Sequence, residues 1–122
     1  SAASLHTPGP LNSAYATAKV ALNQFTRHLA AELEATGVTA NVIHPGDVKT
    51  AMWADIRDKT GAVEGDGSGY DNWVAWVDNT GGDPPEKAAK LVLDIIESDV
   101  NGRFLWIDDP LQTPIPSWGE DA

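Results

Sequence analysis

Residues 38–50 read VTANVIHPGDVKT. The run Val38 to His44 is short, β-branched and bounded by Gly37 on one side and Pro45-Gly46 on the other, which predicts a strand over 38–44. Pro45-Gly46 stops that strand sharply and lets the backbone come close to a ligand. Thr50 adds a hydroxyl suited to an amide or a phosphate. In open parallel sheets ligands sit beyond the carboxyl ends of the strands, where this segment falls. The plain alternative is a strand-ending turn with no ligand.

Upstream, the spacing predicts a helix from Tyr15 to Thr36. Leu22, Phe25, Leu29 and Leu33 recur at steps of three and four and form one apolar face, with Arg27, Glu32 and Glu34 left for the other side. Alanines at 16, 18, 21, 30 and 31 raise helix propensity and permit close packing. Asn12 or Ser13 can cap the start, and Gly37 suits a left-handed position after the end. Residues 1–12 are rich in Ser, Gly and Pro and read as a loop.

Downstream, Met52, Trp53 and Ile56 point to one short amphipathic turn and Trp73, Val74, Trp76 and Val77 to another. GAVEGDGSG between them reads as a loop. At Asp83 a helix begins, with Asp83 as N-cap, Pro84 at the first helical position and Glu86 placed for a capping box. It runs to about Ser98 on the stripe Ala88, Leu91, Val92, Ile95 and Ile96. Arg103 to Ile107 is a second strand, and Asp108 to Ala122 is an irregular tail. The order helix, strand, loop, helix, strand contains a β-α-β unit, so the strands are expected parallel with a right-handed crossover.

The chain has 122 residues, enough for one small domain. Its apolar fraction of 42% and charged fraction of 21% are those of a globular chain, not a disordered one. It has no cysteine, which excludes a disulfide framework, a thiolate nucleophile and a cysteine-ligated metal site. Eighteen acidic against eight basic residues leave a formal charge of −10. Such a surface repels phosphate backbones and anionic lipid, so neither nucleic acid nor membrane is an expected partner. The opening has neither the basic nor the apolar region of a secretory signal, which predicts a cytoplasmic protein. The first residue is Ser rather than Met, so the start is expected to be processed or cut.

Tyr15 and Lys19 lie four apart and therefore share a helix face. A free phenol has a pKa of roughly 10, too high for proton transfer at neutral pH, and a nearby ammonium lowers it by stabilising the phenolate. The pair can serve as an acid/base couple. The alternative is a surface tyrosine packed over a lysine stem.

Together, YATAK, the alanine-rich helix and the strand ending in NVIHPGDVKT resemble the short-chain dehydrogenase/reductase family. The segments DPPEKAAKLVLDIIES and RFLWI resemble that family's last helix and strand. The resemblance covers nearly the whole chain, but only the C-terminal half of the family's fold. It implies the C-terminal half of a doubly wound, Rossmann-type parallel α/β sheet, one partial domain in which residues 51–82 occupy the place of the substrate lid. By position, Tyr15 corresponds to the catalytic acid/base and Lys19 to the lysine that holds the nicotinamide ribose. Pro45, Gly46 and Val48 correspond to the segment along the nicotinamide, and Thr50 to a cofactor-contacting threonine. The catalytic serine corresponds to Ser1 if the loop through Pro8-Gly9-Pro10 carries one extra residue, with Ser4 as the other choice.

The resemblance implies NAD or NADP as cofactor and a small carbonyl or alcohol as substrate. The glycine-rich nucleotide loop, the first strands and the family's catalytic asparagine are missing, so the isolated chain is expected to be inactive. The last strand ends in Ile107-Asp108-Asp109-Pro110 rather than Val-Asp-Gly-Gly, as in a divergent member. A different class of reading is a non-catalytic association module that keeps the family's dimer helix. In either case the chain is expected to form a homo-oligomer or to pair with the missing half.

Three other features carry less. The glycines at 65, 67 and 69 follow no strand and do not make a dinucleotide fingerprint. Glu64 to Asp71 lacks the ligand alternation of a calcium loop. His6, His28 and His44 share no metal spacing, so no metal is expected. His44 can touch substrate or serve as a structural histidine, and Trp53, Tyr70, Trp73 and Trp76 can line an apolar pocket or form the core beneath a long loop.

Overall fold

A computed structural model describes residues 12–60 and 68–108, with Thr60 and residues 68–71 traced by backbone alone. Ser1, Ser4, the acidic loop and the tail from 109 onward lie outside the described residues, as does the side chain of Tyr70. The order is α1 (Ser13–Glu32), β1 (Val42–His44), α2 (Ala51–Thr60), α3 (Ser68–Thr80), α4 (Pro85–Ile96) and β2 (Phe104–Trp106). The strands pair in parallel, Val42 with Phe104, Ile43 with Leu105 and His44 with Trp106. This is the predicted β-α-β arrangement. The two amphipathic turns are full helices, and α2 packs on α3 around the buried side chains of Trp53 and Val77.

Three expectations are corrected. First, α1 ends at Glu32 rather than Thr36. Ala35 turns left-handed at φ 66°, and the Thr36 hydroxyl donates to the Leu33 carbonyl while accepting the Val38 N–H. These local bonds replace the helical ones. Gly37 is left-handed as expected, but lies outside the helix.

Second, β1 spans only Val42–His44 and β2 only Phe104–Trp106. Ahead of them one backbone bond continues, from the Gly102 N–H to the Ala40 carbonyl at 2.9 Å, and asparagine side chains make the others. Asn101 Oδ1 accepts the Ala40 N–H at 2.9 Å, and Asn41 Oδ1 accepts the Arg103 N–H at 3.1 Å. Asn41 Nδ2 also donates to the Val100 carbonyl at 3.0 Å. An amide side chain offers the donor and acceptor of a peptide group, so the backbone is satisfied without strand geometry.

Third, α4 starts one residue later. Pro84 is the N-cap in extended geometry (φ −69°, ψ 139°) and the helix opens at Pro85. A residue before proline is pushed out of the helical region, so Pro84 cannot be the first helical residue. No side-chain cap bond forms there. The Asp83 carboxylate accepts the Asp47 N–H instead.

The apolar face of α1 is not its buried face. Leu22 and Phe25 are 46% and 64% exposed, while Asn23, Thr26 and Ala30 are buried. The helix approaches the rest of the chain through small groups. Asn101 Nδ2 donates to the Ala30 carbonyl at 3.0 Å, and a Cβ on Gly102 would meet the Ala30 methyl at 3.4 Å. Leucine or phenylalanine would hold the backbones apart at that contact.

Around the sheet, Val42, Phe104 and Trp106 make a core on one face. Residue 43, pointing the other way along the pleat, lines a groove of about 490 Å³ with Val92, Ile95 and Ile96 of α4.

Candidate functional site

At the carboxyl end of β1 the chain enters Pro45-Gly46-Asp47-Val48, and its backbone bonds fix the path. Gly46 is left-handed at φ +84°. A Cβ there would stand 2.5 Å from Ile107 Cδ1 and 2.9 Å from Asp83 Oδ2, so only glycine fits. The Gly46 N–H donates to His44 Nδ1 at 3.0 Å, and the Asp47 N–H donates to Asp83 Oδ2 at 2.8 Å. In return the Asp83 N–H donates to the Asp47 carbonyl at 2.8 Å. Val48 and Gly82 form an antiparallel bridge beside this pair. Among the described residues, the Val48 N–H meets no acceptor.

His44 is 8% exposed and stacks on Trp106. Burial lowers its pKa below the ordinary 6.5, opposed in part by the negative charge of Asp47. With Nδ1 accepting from Gly46, the ring carries its proton on Nε2. Of the two roles open to His44, the geometry supports the structural one.

Thr50 closes the segment and starts α2. Its hydroxyl oxygen accepts the Trp53 N–H at 3.3 Å and its carbonyl accepts the Ala54 N–H at 3.1 Å. The hydroxyl hydrogen is still free to donate outward.

Tyr15 and Lys19 occupy the first turns of α1. Tyr15 is 45% exposed, and the Lys19 ammonium lies 5.4 Å from the centroid of its ring. The spacing thus brings the pair together as expected, with the ammonium over the ring face. Among the described residues, no hydrogen bond joins the pair to residues 45–50. The aromatic group divides. Trp53 is core at 2% exposure, with Lys49 and Arg57 stacked on its ring, whereas Trp76 is exposed.

These residues offer donors of the kinds an amide or a ribose hydroxyl accepts from or pairs with. Tyr15 and Lys19 offer a hydroxyl and an ammonium on one exposed helix face, and the Val48 N–H is open to an acceptor. No group of three or more His, Cys, Asp or Glu that could hold a metal occurs among the described residues, and no described helix is long and apolar enough to cross a membrane. Reading the sequence missed Asp83 as a partner of this turn. Its signal, an acidic residue before proline, is the same as that of an N-cap.

The chain is 53% identical over 47 residues to the short-chain reductase protein NovJ of Streptomyces niveus, covering 38% of this chain and 18% of that protein. It is 45% identical over 47 residues to a short chain dehydrogenase of Pseudocercospora fijiensis, covering 38% and 15%. The match to an uncharacterized oxidoreductase of Schizosaccharomyces pombe is longer, 30% over 98 residues, covering 79% of this chain and 36% of that protein. The chain thus spans well under half the length of these relatives. No solved structure matches it. The short chain dehydrogenase model matches residues 1–61, which hold the Tyr15/Lys19 pair, β1 and the turn after it. The chain belongs to the short-chain dehydrogenase family.

Proposed function

We propose that the protein carrying this chain is a cytoplasmic oxidoreductase that interconverts a small carbonyl compound and an alcohol with NAD or NADP. The observation that carries this reading is Lys19 over the Tyr15 ring on an exposed helix face, within a segment matched by the family. A bound nicotinamide supplies or accepts the hydride. Tyr15 holds the proton that passes to the carbonyl oxygen in reduction and takes it back in oxidation. Lys19 stabilises the phenolate and holds the ribose, and Ser1 or Ser4 polarises the carbonyl. Pro45, Gly46 and Val48 would hold the nicotinamide, with Thr50 donating its hydroxyl hydrogen. Residues 1–122 alone are inactive in this reading, because pyrophosphate binding needs a glycine-rich turn at a helix N-terminus that they lack.

The test is Tyr15→Phe in the full-length protein. It removes the proton and keeps the ring, so turnover should fall by at least about a hundredfold. Lys19→Met should also weaken cofactor binding. Unchanged turnover in Tyr15→Phe overturns the reading.

A second reading, a non-catalytic association module, draws on the exposed Leu22 and Phe25 of α1. It requires self-association without dinucleotide binding, and a calorimetric titration of the full-length protein with NAD(H) and NADP(H) separates the two.

A further inference from the structure

We propose that Asp83 is a positioning residue for cofactor binding: with Asp47 it forms a two-way clamp that sets the Pro45–Val48 turn and ties it to the base of the α2–α3 excursion. The inference rests on the functional reading above for the turn's role, while the clamp itself rests on geometry alone.

The chain leaves the sheet through Asp47, Val48 and Lys49, forms α2 and α3, and comes back through Gly82 and Asp83. At this neck the Asp83 carboxylate accepts the Asp47 N–H and the Asp83 N–H donates to the Asp47 carbonyl, both at 2.8 Å. Two opposed bonds between the same residues fix both distance and orientation. The close fit demands glycine on each side. A Cβ on Gly82 would stand 2.5 Å from the Asp47 carbonyl oxygen, and one on Gly46 would stand 2.9 Å from Asp83 Oδ2. Lys87 Nζ lies 3.9 Å from Asp83 Oδ1, while its hydrogen bond goes to Asp108 Oδ1 at 3.2 Å.

The clamp occupies the N–H of Asp47, and His44 occupies that of Gly46. The next N–H along, that of Val48, meets no protein acceptor among the described residues. Asp83 therefore acts on cofactor through the turn without touching it. It also ties the turn to the neck through which the chain leaves for α2 and returns from α3.

The experiment compares Asp83→Ala, Asp83→Asn and Tyr15→Phe in the full-length protein, reading amide exchange by NMR or mass spectrometry, dinucleotide affinity, and kcat and KM. Asp83→Ala removes the acceptor. Exchange at Asp47 should quicken at least about tenfold while α1 keeps its protection, and the KM for NAD or NADP should rise about tenfold with a smaller change in kcat, the scale of one charge-assisted hydrogen bond. Asp83→Asn keeps a carbonyl oxygen in the same place and should restore most of both. If the alanine variant does not fold, Asp83→Ser, with a shorter acceptor, carries the same comparison. The proposal is overturned if Asp47 stays protected in Asp83→Ala, or if the turn loosens and cofactor affinity does not change. Full turnover in Tyr15→Phe would instead sink the functional reading, and the exchange result at Asp47 would still decide the clamp.

Discussion

The ring of His44 lies flat on the indole of Trp106, with 4.4 Å between centroids and 12° between planes. The two residues are register partners at the carboxyl ends of β1 and β2, so the stack closes the sheet where the Pro45-Gly46 turn begins. Because the Gly46 N–H occupies Nδ1, protonating the imidazole requires that bond to break. The folded pKa lies below the unfolded 6.5, so the unfolded chain takes up the proton first as pH falls. The contribution of His44 to stability is therefore complete above 6.5 and is lost as pH drops from there through the folded pKa. Thermal midpoints between about pH 7.5 and 5.5 should fall more steeply in the natural protein than in His44→Phe, which keeps the stack and cannot titrate. Parallel curves for the two proteins would contradict this.

Asn101 joins three segments at the other end of the strands, through Ala40, Ala30 and its own turn into β2. Asn101→Ala leaves a part-buried N–H and a carbonyl without partners and should cost about 2 kcal/mol in urea unfolding. Asn101→Asp keeps the acceptor for Ala40 but not the donor for Ala30, and should fall between the two.

Gly37 and Gly46 share φ +84° but differ in surroundings, with nothing within 4 Å of a Cβ at Gly37. Gly37→Ala should cost about 1 kcal/mol, the backbone preference alone. Gly46→Ala adds a clash with Ile107 and Asp83 and should cost several times more. Equal losses in a denaturant titration would show that the Gly46 site can open.

Leu22 and Phe25 place apolar area in water along α1, and three residues of α4, Val92, Leu93 and Ile96, do the same. Exposed area of this kind drives association. Residues 1–122 should sediment as an oligomer at micromolar concentration, and Leu22→Glu with Phe25→Glu should shift them toward monomer. A folded monomer before the substitutions would refute the expected role of this face.

The parallel β-α-β order and the adjacency of Tyr15 and Lys19 are legible in the residues alone. Those follow from local rules: β-branched runs between turn residues, and four residues per shared helix face. Which face of α1 is buried depends instead on a long-range contact. Leu22 and Phe25 have the periodicity of a core stripe, yet the contact with Asn101 and Gly102 needs a close backbone approach that Ala30 allows. Likewise Asp83 carries the local signature of a helix cap, but the N–H of Asp47, distant in sequence, receives its carboxylate. A carboxylate bonds whichever donor the fold places within reach, and a residue's neighbours in sequence do not reveal that donor.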